Sequence, residues 1–170
     1  PATGVGLSAT SFNENELGAV VGRIDVVDAD RGDSYALSVD DNRFEIIGTT
    51  LKLKANQSFD FEQTASVNVT ITAVDSDDDI LPTSPNTTVN QQFTLQVRNV
   101  NEAPSSISLS GGSVTENQAG ATVGTLSAVD PDSGDSRTFS TNDTRFEIVS
   151  GNSLKLKAGQ SLDFEAASVV

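Results

Sequence analysis

The feature that most restricts what this chain can fold into is that it carries most of itself twice. Phe12-Asn-Glu-Asn-Glu-Leu-Gly-Ala-Val-Val-Gly22 returns as Val114-Thr-Glu-Asn-Gln-Ala-Gly-Ala-Thr-Val-Gly124, so Glu14 maps onto Glu116 at an offset of 102. Asp28-Ala-Asp30 maps onto Asp130-Pro-Asp132 and Arg43-Phe-Glu-Ile46 onto Arg145-Phe-Glu-Ile148 at the same offset. One inserted residue later, Leu51-Lys-Leu-Lys54 returns as Leu154-Lys-Leu-Lys157 and Phe59-Asp-Phe-Glu62 as Leu162-Asp-Phe-Glu165. Self-similarity in fixed order over this span marks a tandem array, in which each repeat is one structural unit. The 170 residues therefore divide into repeat 1, residues 1–102 with a linker at 99–104, and about two-thirds of repeat 2, residues 103–170.

Within a repeat the pattern is that of β-structure. Val67, Val69, Ile71 and Ala73 alternate with Asn68, Thr70 and Thr72, the period of a strand with one buried face. Phe93, Leu95 and Val97 do the same, as do the pairs Ile24/Val26, Phe44/Ile46 and Leu51/Leu53, with Gly, Asn, Asp and Ser clusters between them. No helical stripe competes. About seven short strands in about 100 residues predict an all-β fold, a tandem Greek-key seven-strand β-sandwich with the second repeat truncated. Repeat 2 stops before equivalents of the strands expected at 66–74 and 91–98. The expectation is a stable repeat 1 and a repeat 2 that is frayed, or completed by a neighbouring chain in a strand-completing homo-oligomer.

Charge sets the chemistry. Lys and Arg number 10 against 24 Asp and Glu, a net charge of −14. Such a chain repels phosphate backbones and anionic lipid, so neither nucleic acid nor a membrane surface is an expected partner. No apolar run is long enough for membrane insertion, and with no Met anywhere the sequence reads as a piece of a longer precursor. His and Cys are both absent, which removes Ser-His-Asp and Cys-His catalysis, His or thiolate zinc sites, and disulfides. Any metal must be held by oxygen, so Ca2+ or Mg2+ leads. The acidic residues gather in short motifs at strand ends, namely Glu14, Asp28/Asp30, Asp60/Glu62, Asp75/Asp77 and Asn99-Val-Asn-Glu102. Clustered carboxylates repel unless a cation is shared among them.

Five of these motifs together, Asn-Glu-Asn at 13–15, Asp-Ala-Asp at 28–30, Phe-Asp-Phe-Glu at 59–62, Ala-Val-Asp-Ser-Asp at 73–77 and Asn-Val-Asn-Glu-Ala-Pro at 99–104, resemble cadherin repeats. The resemblance is to the bacterial cadherin-like repeats of large secreted adhesins and polysaccharide-degrading enzymes, and it covers essentially the whole chain. It implies Ca2+ between successive repeats, with a bottom set of Glu14, Asp60 and Glu62, a linker set of Asn99, the Val100 carbonyl, Asn101 and Glu102, and a top set of Asp130 and Asp132. It further implies half-sites at Asp28, Asp30 and Asp75, facing a preceding repeat, and at Glu116, Asp163 and Glu165, facing a following one. The linker departs from the family pattern. Asn99 replaces an Asp, Glu102 replaces another, and one residue is missing before Pro104, changes that weaken the expected affinity. The six carboxylates of the interdomain set carry −6, which two Ca2+ would reduce to −2 and three to zero. Repeat 2 stops before an aspartate matching Asp75, at expected position 177, so the two ions nearest Glu14, Glu62 and Glu102 are expected to bind better than a third nearest Asp130.

The function implied is a calcium-dependent extracellular adhesion or spacer module at a bacterial cell surface, in contact with neighbouring repeats and with like modules on other cells or with polysaccharide. A calcium-dependent carbohydrate-binding module is the alternative. It would have to manage with no Trp and one Tyr where sugar platforms usually present exposed aromatics. Catalysis is not expected, because carboxylates engaged with Ca2+ make poor general acids. Three other signals fall away. The loops starting at Asp75 and Asp130 carry Ile80 and Asp135 where an EF-hand needs Gly, and Asn86 and Thr141 where it needs Glu. Arg31-Gly-Asp33 corresponds to Ser133-Gly-Asp135, so Gly-Asp reads as the turn chemistry of the repeat and not as an integrin ligand. The polar stretch from Asp75 to Asn90 reads as a solvated connector or a binding loop.

Overall fold

The computed structural model describes residues 2–28, 34–75 and 88–166, with the backbone alone for Asp75. Asp30, Arg31-Gly-Asp33, Asp77 and most of the polar stretch after Asp75 lie outside the described residues. The chain separates into two compact units, Pro1–Val100 and Asn101–Val170. Among the described residues there is no helix.

Unit 1 is a two-sheet sandwich. One sheet holds β1 (Ala2–Leu7), β3 (Val20–Asp28), β6 (Thr50–Leu53) and β5 (Phe44–Ile47) in that spatial order. The other holds β2 (Ser11–Asn13), β8 (Thr88–Arg98), β7 (Ser66–Asp75) and β4 (Tyr35–Val39). The chain crosses between the sheets after β1, β2, β3, β4 and β6, the connectivity of a Greek key. Among the described residues the seven expected strands become eight because the first one changes sheets. β1 runs antiparallel to β3, while β2, a few residues on, lies parallel to β8.

The alternation in the sequence becomes the core. Val69, Ile71 and Ala73 of β7 and Leu95 of β8 are fully buried against Ile24, Phe44, Leu51 and Leu53 from the opposite sheet. Phe12, Phe44 and Phe59 form an edge-to-face cluster, with Phe12 5.3 Å from Phe59 at 71° and 6.1 Å from Phe44 at 80°. Arg43 closes this cluster, its guanidinium 4.4 Å from the Phe59 ring and bonded to Asp41 by both Nε (3.1 Å to Oδ1) and Nη2 (2.6 Å to Oδ2). Arg145 and Asp143 repeat that fork at the same distances, which accounts for the doubled Arg-Phe-Glu-Ile motif.

The glycine ending the first repeated motif has a steric reason. The ladder slips between Val20 and Gly22, and between Thr122 and Gly124. A Cβ at Gly22 would lie 2.9 Å from the Ala9 nitrogen, and one at Gly124 only 1.7 Å from the Ser110 carbonyl oxygen. The bulge brings the neighbouring strand onto the glycine, so no side chain fits.

Unit 2 contains one four-stranded sheet, in the order β11 (Phe146–Val149), β12 (Ser153–Leu156), β10 (Thr122–Val129), β9 (Ser106–Gly111). It corresponds to the β1-β3-β6-β5 sheet of unit 1. Residues 113–115 and 137–141 form no strand, whereas their counterparts β2 and β4 pair with β8 and β7. Phe146 and Leu154 border an open cleft of about 850 Å3 with Leu109, Val123, Leu162 and Phe164. Their counterparts Phe44 and Leu51 sit in one buried cluster with Val69, Ile71 and Leu95 of β7 and β8. Leu156 is fully buried, while Ile107 is 68% exposed.

Candidate metal centre

Glu14 follows β2 and is 2% exposed. Its placement comes from the backbone. Its own N–H donates to the Arg98 carbonyl (3.1 Å), and the next N–H, of Asn15, donates to the Phe59 carbonyl (2.9 Å). Asn15 turns the chain in the left-handed region at φ 58°, a conformation that Asn tolerates and that Asn117 repeats at φ 56°. The carboxylate then accepts two backbone N–H groups, Phe61 on Oε2 at 2.7 Å and Val100 on Oε1 at 2.8 Å. Glu14 thus ties the Phe-Asp-Phe-Glu motif to the start of the linker.

Glu62 is exposed, and an oxygen of its carboxylate lies within 4.8 Å of one of Glu14. The Asn99 amide donates to its Oε1 at 3.1 Å. Asp60 is engaged differently. Its carboxylate accepts both the backbone N–H of Gln63 (3.0 Å) and the Gln63 side-chain amide (2.6 Å), so it caps the turn that carries Glu62.

In unit 2 the equivalent residues Glu116, Asp163 and Glu165 present carboxylate oxygens within 4.8 Å of one another, all exposed. The Phe164 N–H donates to Glu116 at 3.2 Å, the counterpart of the Phe61 bond. Asp163 caps its turn by accepting the N–H groups of Glu165 and Ala166.

A second cluster in unit 2 joins Asp130, Asp132 and Asp135, again within 4.8 Å. Asp132 is 4% exposed and accepts the Glu102 backbone N–H at 2.6 Å. Its own N–H donates to Asp130 at 3.2 Å. Asn101 donates its side-chain amide to the Glu102 carbonyl. Linker residues are therefore pinned by carboxylates, Val100 by Glu14 within unit 1 and Glu102 by Asp132 within unit 2. In unit 1 the counterpart Asp28 accepts the hydroxyl of Tyr35. Asp30 and the Asp75 side chain are outside the described residues.

Asp135 was not among the residues expected from sequence. Its signal was present, since it is the aspartate of Ser133-Gly-Asp135, but the turn reading absorbed it. The pairing of Asp28 with Tyr35 was not foreseen either.

These donor sets suit a hard cation. Ca2+ binds oxygen at roughly 2.3–2.6 Å, so two ligands on opposite sides of one ion lie about 5 Å apart. Carboxylate oxygens grouped within 4.8 Å, with Asp and Glu alone in all three groups, meet that limit. Glu14 and Asp132 already sit in fixed positions set by backbone donors, as ligands of a preformed site do.

No protein-family profile and no curated protein sequence matches the chain. Solved structures do match its fold. Human protocadherin-24 EC1-2 is similar over 97% of this chain and 80% of that one, with a TM-score of 0.64 and 20% identity. Mouse cadherin-23 EC22-24 is similar over 95% of this chain and 54% of that one, with a TM-score of 0.61 and 18% identity. The protocadherin GammaB4 extracellular domain is similar over 96% of this chain at a TM-score of 0.54 and 22% identity, and this chain spans 28% of its length. The fold is cadherin-like.

Proposed function

We propose that this chain is an extracellular adhesion or spacer segment whose consecutive cadherin-like repeats are stiffened by Ca2+. The observation that carries the reading is the recurrence of one carboxylate set in both repeats. Glu14 and Glu62 in unit 1, and Glu116, Asp163 and Glu165 in unit 2, occupy matching motif positions, and each group lies within the span one ion can bridge. The second all-oxygen cluster, Asp130, Asp132 and Asp135, together with the linker residues Asn99, Val100, Asn101 and Glu102, would supply the other side of a shared interdomain site. The repeats next in line are then the first partners, and like modules on another surface the second. A bacterial cell surface is the setting suggested by the motif resemblance. The carbohydrate alternative gains no support. Phe164 is the one aromatic side chain among the described residues that is prominently exposed, and it borders the open cleft of unit 2.

The test is thermal unfolding with and without Ca2+. A ligand that binds only the folded state adds roughly 2.7 kcal/mol at a hundredfold excess over its Kd. Millimolar Ca2+ is expected to raise the Tm clearly, and Mg2+ much less, since Mg2+ demands near-ideal octahedral geometry and resists dehydration. A melting curve that EDTA leaves unchanged would sink the proposal.

A further inference from the structure

The two repeats differ at one position that touches their Asp-x-Asp motifs. Tyr35 and Arg137 correspond at the offset of 102, as do Asp28 and Asp130. In unit 1 the neutral Tyr35 hydroxyl donates to Asp28 Oδ2. In unit 2 the Arg137 guanidinium Nε stands 3.8 Å from Asp130 Oδ2. The Asp130 side chain is 3% exposed and that of Arg137 is 34% exposed, so the pair is shielded on the carboxylate side and open on the other. Asp130 Oδ1 is already taken by the Asp132 N–H and Asp132 Oδ2 by the Glu102 N–H. The other Asp130 oxygen, Oδ2, faces Arg137, so the guanidinium and a divalent cation would draw on the same carboxylate.

We infer that Arg137 is a built-in competitor for the Asp130/Asp132/Asp135 cluster, one that holds the carboxylates together without metal and must be displaced when a divalent cation binds. This rests on the calcium reading above and adds to it how one cluster is tuned. Three carboxylates in one pocket repel. Among the described residues Arg137 is the one cation recorded in an ion pair with them. A guanidinium is permanently charged and cannot leave by deprotonation, so its competition persists at every working pH. It sits on a long, partly solvated stem, so it can swing into water when Ca2+ arrives. Tyrosine at the same position of repeat 1 adds a donor but no charge. The consequence is graded affinity along the array, with clusters flanked by arginine filling at higher Ca2+ than clusters flanked by tyrosine.

The experiment is a Ca2+ titration of the full chain followed by amide NMR, which gives a separate Kd for the residues around Asp130–Asp135, Glu14 and Glu116. Arg137→Gln and Arg137→Tyr are compared with Arg137→Lys, which keeps the charge. A unit charge about 4 Å from a ligand oxygen changes affinity by about fivefold even in bulk-water dielectric, and by more where shielded. The expected result is a five- to tenfold tighter Kd at Asp130–Asp135 in the Gln and Tyr variants, little change with Lys, and no change at Glu14 or Glu116. The amide spectrum also reports whether each variant is folded. Should the Gln variant not be folded, the Tyr variant, which has the repeat-1 side chain, carries the comparison. A Kd in the neutral variants equal to or weaker than wild type would overturn the role of Arg137. Binding at Glu14 or Glu116 with none at Asp130–Asp135 in any variant would overturn it while leaving the calcium reading standing. No Ca2+-dependent shift anywhere would overturn both.

Discussion

Replacing Glu14 by Gln separates a structural carboxylate from an idle acidic loop, because the two possibilities differ in sign when no metal is present. Glu14 is 2% exposed and accepts from Phe61 and Val100 at 2.7 and 2.8 Å. Bonds to a charged acceptor each contribute roughly 1.5–3 kcal/mol. Glutamine keeps one carbonyl oxygen, so one bond survives in neutral form and the other backbone N–H faces an NH2 donor. The loss is then about 3 kcal/mol. Against it stands relief of repulsion from Glu62, whose nearest oxygen lies within 4.8 Å. Glu62 is exposed, so water screens that repulsion to about 1 kcal/mol. The hydrogen-bond loss wins, and the net destabilisation of unit 1 is about 2 kcal/mol in EDTA.

The readout can be confined to unit 1. The chain has one tyrosine and no tryptophan, and Tyr35 lies in β4. Tyrosine fluorescence during urea unfolding therefore follows unit 1 alone, which avoids treating two units as one transition. With a denaturant slope of about 1–2 kcal/mol/M for a domain of this size, the midpoint should fall by about 1–2 M urea. Glu62→Gln is the internal control, expected to shift the EDTA midpoint little, or slightly upward. An unchanged or raised midpoint for Glu14→Gln would refute the assignment of Glu14 as a clamp on the Phe61 and Val100 amides.

Other outcomes follow from the same geometry. Gly124→Ala puts a Cβ 1.7 Å from the Ser110 carbonyl, so unit 2 should lose roughly 3 kcal/mol or more, seen as loss of amide dispersion for residues 106–156 with unit 1 intact. The Asp143 carboxyl, hydrogen-bonded by the Arg145 guanidinium, is held at about 2, below its ordinary 3.8. Because the folded value is depressed, its contribution is present above pH 3.8 and lost as pH falls from 3.8 towards about 2. A carboxyl NMR titration should show this, and Arg145→Gln should return Asp143 towards 3.8. The Arg43 side chain lowers Asp41 in the same way, so Arg43→Gln should move acid unfolding of unit 1, followed by Tyr35 fluorescence, to higher pH. Hydrogen exchange should find strong protection in β3, β6, β7 and β8 and much faster exchange in β9 and β11, since Leu156 and Ala121 are the buried apolar residues of unit 2 among those described. Uniform protection across both units would contradict that expectation.

How much of the fold could be read in advance depended on whether a signal was local. The alternation at 67–73 needed only neighbours in sequence, and it became β7 with Val69, Ile71 and Ala73 fully buried. The division of the first strand could not be read that way. β1 and β2 are distinguished by which sheet each joins, and that is set by partners as distant as Asp28 and Arg98. The missing strands at 113–115 and 137–141 follow the same logic. Tyr35-Ala-Leu-Ser-Val39 has good strand chemistry, yet it is a strand because β7 lies beside it. Strand identity is a property of a pair, and a single sequence displays one member at a time.

The candidate site divides along a similar line. Residue type and motif order pointed to oxygen ligation, and the carboxylates at 14 and 62, at 116, 163 and 165, and at 130 and 132 do gather in their units. What the motifs could not convey is that equal letters have unequal neighbours. Asp60 has the type of a ligand, and its carboxylate also accepts the backbone and side-chain amides of Gln63. Asp135 was read as turn chemistry because Gly-Asp occurs in both repeats, although a turn aspartate can also supply an oxygen to a cluster. Asp28 and Asp130 are the same letter at the same register, yet one meets a phenol and the other a guanidinium. The 102-residue offset held that difference in plain view, since it aligns Tyr35 with Arg137 as surely as it aligns the aspartates. On the calcium reading proposed above, aligning a repeat on its shared carboxylates marks where cations would bind. The positions where the copies disagree, next to those carboxylates, would then set how tightly.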